Sequence, residues 1–368
     1  MNKVYSLSFN FSRVENYKFL SNQYAEELLP NTIVQLIAAV CGILGNIPVL
    51  LMYGKYIEDK TRSRYFIPVL AFVDLVGCVS NAVHFYLQNT MSYNYPGVQL
   101  CKTLYFLNFF TGGFPAQLIL VIALQRYLFI CRPFGQQMTK TLCRISLLFI
   151  FLTSFGHSVP SLTLVGKEFQ RNRNAYNISQ HFVRCEIVDF STKGVKEMIS
   201  YLGITLLLSL AIICVTSALY IPVIRAMYRT LSPAEPSNHK DRYNDTSTRS
   251  AERRIPDAEK NVTEKFPKTY VRNSNYSIVD RNRKLKARQR ITVMFLVIII
   301  VYVVSYLTSL GTHIFIFIES RALTFTGYKL NILYMCLRLN LLNHIANPYI
   351  YWIFDIKFRE ELRRLCWR

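Results

Sequence analysis

The residues of this chain whose chemistry stands out are charged groups set inside apolar runs, above all Asp74, Arg126 and Arg338. A carboxylate or guanidinium at membrane depth is costly unless it is paired or hydrated, so each of these side chains must find a partner. They do not compose a reaction centre. The sequence has no phosphate-binding Walker loop, no His/Cys cluster at metal-ligand spacing and no nucleophile elbow, which argues against an enzyme and against a resident cofactor. Of nine cysteines, Cys41, Cys78, Cys143, Cys214 and Cys336 lie in apolar stretches and read as small packing residues. Cys366, between Leu365 and Trp367 on a basic end, suits palmitoylation.

The elements that must hold these groups are long and apolar. Spanning a hydrocarbon core of roughly 30 Å takes about 20 apolar residues in a helix, because lipid offers no partner for free backbone groups. Seven stretches meet that length, at about 31–54, 65–91, 98–131, 143–166, 195–228, 288–318 and 328–354. With an extracellular N-terminus, the inner segments hold Lys55, Lys60, Arg62 and Arg64, then Arg132, Lys140 and Arg144, then the dense 281–290 run and the end from Lys357. That is the positive-inside pattern, and it accounts for a net charge of +21 without nucleic acid.

The expected fold class is an all-α membrane protein, a seven-transmembrane helix bundle with a short amphipathic eighth helix. Residues 1–30 form an extracellular segment without a removable signal peptide, and 31–354 the helix domain. Within the latter, 229–287 is polar and aperiodic and is expected to be disordered, its last part from Arg281 feeding a helix. Residues 355–368 put Ile356, Phe358, Leu362 and Leu365 near one face, for the inner membrane surface. Asn10 and Asn177 are glycosylation acceptors on the outer side, where Cys101 and Cys185 also fall and oxidation is allowed.

Polar residues at fixed places narrow the reading. The first helix carries Gly45-Asn46, the second Leu70-Ala71-Phe72-Val73-Asp74-Leu75; the third runs from Cys101 to Gln125-Arg126-Tyr127; the seventh ends Asn347-Pro348-Tyr349-Ile350-Tyr351. Across residues 31 to 366 this resembles the rhodopsin-class G-protein-coupled receptors, and in general look the invertebrate neuropeptide-like orphan receptors. Arg126 follows Cys101 by 25 residues, about 37 Å along a helix, which sets one at each membrane face.

The resemblance implies roles. Cys101 and Cys185 form the disulfide that ties the second outer loop over the bundle mouth. Arg126, with Tyr127, Tyr220, Asn347, Pro348 and Tyr351, forms the transduction switch, and Tyr302 and Tyr306 stand in its aromatic series on the sixth helix. Asp74, Asn46 and Asn343 form a polar core that in relatives often holds a sodium ion, although Pro115 sits where many relatives put a hydroxyl; a plain interhelical hydrogen-bond network is the alternative. Gln125 replaces the usual acidic neighbour of Arg126, and Arg288 a glutamate, so a loosely held resting state with ligand-independent signalling is expected. Thr308 replaces the customary helix-kinking proline.

For the ligand, Leu341 stands where a light receptor needs lysine and Asn108 where an amine receptor carries aspartate, which leaves peptides and small acidic or lipid-like molecules. Asn108, Gly112, Tyr201, Tyr306, His313, Tyr334 and Arg338 are the candidate pocket residues, Arg338 as a partner for a carboxylate. The expected partners are an extracellular peptide, a heterotrimeric G protein, arrestin through the third cytoplasmic loop, and plasma-membrane lipid. A receptor-like binder that does not signal is the alternative. A transporter is a further one, although neither inverted repeats nor matched broken helices are visible.

Overall fold

The computed structural model describes residues 21–57, 64–92, 95–173, 178–187, 195–231, 268–319, 322 and 324–366. The glycosylation acceptors Asn10 and Asn177 lie outside them, and so does 232–267 of the third cytoplasmic loop. Helices α1 (Leu29–Leu51), α2 (Ile67–Thr90), α3 (Val98–Cys131) and α4 (Lys140–Ser158) are followed by an antiparallel hairpin, β1 (Val165–Arg173) and β2 (Ile178–Ile187). Then come α5 (Val195–Leu231), α6 (Lys268–Ile318), α7 (Gly327–Leu337), α8 (Leu342–Phe354) and α9 (Ile356–Cys366). Among the described residues, six helices are long and apolar enough to cross a membrane. The seventh stretch is α7 and α8, divided at a 3-10 turn, Leu339–Leu341.

Local chemistry sets several boundaries. Pro30 and Pro68 lie in the first turns of α1 and α2, where the missing N–H costs nothing. Thr139 caps α4 by accepting from the Leu142 N–H at 3.1 Å. Gly97 precedes α3 with φ +133, a backbone angle that side chains disfavour.

Two expectations change here. α6 begins at Lys268, so the stretch expected to be disordered over 229–287 is helical from that point, and α5 continues to Leu231. The polar composition misled because a helix continuing out of the membrane needs no apolar face of its own. The structure divides into one unit of Met1–Val223 with Arg290–Arg368 and another of Ile224–Gln289.

In the first unit the usual sidedness of a soluble protein is inverted. Leu44, Phe72, Phe149 and Leu207 are exposed, whereas Asn46, Asp74, Ser80, Asn81, His84 and Asn89 are buried. A bundle bathed in lipid gains nothing by hiding leucine and loses much by showing amides, so polar groups turn inward and pair. Asn89, for example, donates to the Thr32 hydroxyl at 2.8 Å across α2 and α1.

Candidate functional site

At mid-bundle, Asp74 of α2 is fully buried and has two partners. His344 Nδ1 lies 2.9 Å from its Oδ1, and Asn347 Nδ2 donates to its Oδ2 at 2.7 Å. One proton is shared across the short contact between the His344 ring and the Asp74 carboxyl. This corrects the expected set. Asn46 donates instead to the carbonyls of Gly42 and His344, at 2.9 and 2.8 Å, and Asn343 accepts from the Ser305 hydroxyl at 2.6 Å. Neither is bonded to Asp74, each of whose oxygens has one side-chain nitrogen as partner. Gly77, one turn along α2, makes the room: a Cβ there would stand 2.9 Å from the His344 ring.

The same residues test the fit of a sodium ion. Asp74 is the only carboxylate in the group, both its oxygens are engaged, and Pro115 brings no side-chain oxygen from α3. This donor set does not fit a resident sodium ion.

Beside His344, a small cavity is lined by Gly112, Pro115, Tyr302, Tyr306, Asn340 and Asn343. Gly112 and Pro115 leave this space by their small size. Tyr306 stacks on Tyr302 with centroids 5.8 Å apart and gives its phenol proton to Ser209, joining α6 to α5.

Towards the outer side, Cys101 and Cys185 are joined in a disulfide that fixes β2 to the start of α3. Tyr95, Leu104 and the disulfide form a small buried cluster. Tyr201 is buried against Val165 and Phe109, its phenol donating to the His157 carbonyl at 3.0 Å. Asn108 Oδ1 is buried without a hydrogen bond.

Arg338 does not wait for a carboxylate. Its Nη1 donates to Asn31 Oδ1, Gln35 Oε1 and Asn89 Oδ1 at 3.1, 3.2 and 2.9 Å, and its Nη2 to Gln88 Oε1 at 3.2 Å. The Phe85 and Tyr334 rings lie 4.5 and 4.6 Å from the guanidinium carbon. The side chain therefore clasps α1, α2 and α7 through amide oxygens, the next best acceptors to a carboxylate. Tyr334 also shares a hydrogen bond of 2.5 Å with Tyr24. His313 departs further from expectation: it is exposed, and its Nδ1 lies 2.8 Å from the Ser309 carbonyl one turn back on its own helix.

At the inner end Arg126 is buried, 2% exposed, with its guanidinium carbon 4.6 Å from the Phe295 ring centre. Tyr127 is half-buried. The Tyr220 and Tyr351 phenol oxygens are buried and make no hydrogen bond. Below Tyr351 the structure shows a group the sequence did not single out. Arg64 Nε and Nη2 meet the Asp355 carboxylate at 2.6 and 3.1 Å, and the Tyr53 phenol donates to it at 2.8 Å. Tyr53 in turn packs edge-on against Tyr351 and stacks on Phe358 of α9, at 5.8 and 5.5 Å. The only signal in the sequence was a lone acid between an apolar helix and a basic one. The side chains of Arg288 and Cys366 lie outside the description.

Comparison with known proteins converges on one family. Residues 45–351 match the family described as "7 transmembrane receptor (rhodopsin family)". The thyrotropin-releasing hormone receptor of Ovis aries is 23% identical over 353 residues, covering 90% of this chain and 77% of that receptor; the Homo sapiens receptor is 22% identical over 357 residues, covering 90% and 77%. The growth hormone secretagogue receptor type 1 of Sus scrofa is 24% identical over 221 residues, 57% of this chain and 59% of the relative. The crystal structure of squid rhodopsin superposes with a TM-score of 0.61 at 16% identity, covering 94% of this chain and 85% of that one, a likeness of fold. The chain belongs to the rhodopsin family of seven-transmembrane receptors: it is a multi-pass membrane receptor, not an enzyme or a transporter.

Proposed function

We propose that this receptor sits in the plasma membrane with its N-terminus outside, binds an extracellular peptide and activates a heterotrimeric G protein. The observation that carries the reading is the likeness over 90% of the chain to receptors named for a releasing hormone. The hairpin β1–β2, held to α3 by Cys101–Cys185, supports it as a wall on the outer side. The ligand would meet Asn108, whose buried Oδ1 lacks a partner, together with Gly112, Tyr201 and Tyr334, while Arg338 holds α1, α2 and α7 together.

Agonist binding shifts the population of two states, because the ligand binds one of them better than the other. The inner end of α6 then moves away and Arg126 leaves the Phe295 ring to meet Tyr220 or the G protein. The basic 281–290 run and the third cytoplasmic loop supply the surface for the G protein and for arrestin.

The test is a G-protein activation panel in cells expressing the wild type and Arg126→Ala at equal surface level, read at baseline and against a library of neuropeptides. A basal or peptide-driven signal that the variant loses supports the reading. Peptide binding without any signal in the wild type would favour a receptor that binds and does not transduce.

A further inference from the structure

We propose that His344 takes the place of a regulatory cation at Asp74, so that the conformational equilibrium of this receptor is indifferent to sodium. Three observations converge. The His344 ring lies 2.9 Å from Asp74 Oδ1 while Asn347 holds Oδ2 at 2.7 Å, so both oxygens already have a side-chain partner. The ring nitrogen takes up the contact on the carboxyl that a cation would need, and the ring occupies volume that an ion and its waters need. Gly77 is bare at the contact, and the ring fills the space a side chain would take.

The remaining polar groups agree. Ser305 and Asn343 satisfy one another at 2.6 Å, and Pro115 offers no hydroxyl across the bundle. The cavity lined by Gly112, Asn340 and Asn343 ends on the same imidazole, so His344 stands between that space and the carboxylate. A small hydroxyl at position 344 would open the cavity towards Asp74 and leave an oxygen that can accept in place of the ring.

The experiment is thermal unfolding of the full-length receptor purified in detergent, in sodium chloride and in choline chloride at equal ionic strength. It reads stability, and so does not depend on a known ligand or on coupling to a G protein. Wild type is expected to melt at the same temperature in both salts. His344→Ser is expected to melt at a lower temperature in choline and to recover part of that loss in sodium, and Asp74→Asn in the same background abolishes the recovery. A sodium-specific rise in wild type overturns the proposal. So does a well-folded His344→Ser protein whose melting is the same in both salts. Should His344→Ser fail to fold, His344→Asn replaces it, and should both fail, the wild-type comparison decides alone.

Discussion

Arg64 and Asp355 are joined side on, Nε to Oδ2 at 2.6 Å and Nη2 to Oδ1 at 3.1 Å, with both side chains buried where the start of α2 meets the start of α9. The carboxylate also accepts the Tyr53 phenol and the Lys357 backbone N–H, so four donors converge on two oxygens. Breaking a buried ion pair by removing the charge of one partner costs up to about 3–5 kcal/mol. Asp355→Asn is therefore expected to lower the melting temperature of the purified receptor clearly. Because Tyr53 links this pair to Tyr351 through ring contact, the same variant is expected to change basal signalling at matched surface expression. An unchanged melt would show that the pair adds nothing beyond the packing around it.

Gly77 and Gly112 make opposite predictions for the same substitution. A Cβ at Gly77 would lie 2.9 Å from three atoms of the His344 ring, and that ring is pinned by Asp74, whereas a Cβ at Gly112 meets nothing within 4 Å. Overpacking a tight interior costs about 1–3 kcal/mol. Gly77→Ala should thus lower thermal stability by that order, and Gly112→Ala should leave it unchanged or slightly raised, since alanine is the better helix former. Equal melts for the two variants would mean that the His344 ring moves aside without loss.

The helices and six of the seven expected spans were legible in the sequence because membrane thickness dictates apolar length. The partner of Asp74 was not. His344 lies three residues before Asn347 on a helix already read for its Asn-Pro motif, and its meeting with Asp74 depends on the relative rotation of α2 and α8 and on the missing side chain of Gly77. Arg64 was counted among the inner charges because a rule that sums cations says nothing of a carboxylate 291 residues away. Arg338 was read as a guanidinium in need of a carboxylate; the four amides it meets, spread over α1 and α2, show no pattern until the helices pack.

The Cys101–Cys185 bond closes a loop with a sequence separation of 84 residues, and it is the covalent tie between β2 and α3. Loss of a native disulfide of this kind costs about 2–5 kcal/mol. Cys185→Ser is expected to reduce surface expression and to lower the melting temperature, and Cys101→Ser/Cys185→Ser to do no worse than either single change. A double variant markedly less stable than both singles would show that the two positions contribute independently, against a shared bond.

Arg338 separates the need for charge from the need for shape. A lysine there keeps the charge, but one ammonium cannot reach the acceptors that Nη1 and Nη2 reach together, nor lie flat between the Phe85 and Tyr334 rings. Each buried acceptor left without a donor costs about 1–3 kcal/mol. Arg338→Lys is therefore expected to lose stability nearly as far as Arg338→Ala, and the loss should appear in the absence of any ligand. If Arg338→Lys instead melts like wild type and only agonist potency falls, the guanidinium serves the ligand and the amide clasp is incidental. Gln35→Ala gives the check from the other side: with one of the acceptors gone and the guanidinium still held by Asn31, Asn89 and Gln88, the melt should drop by less than in Arg338→Ala.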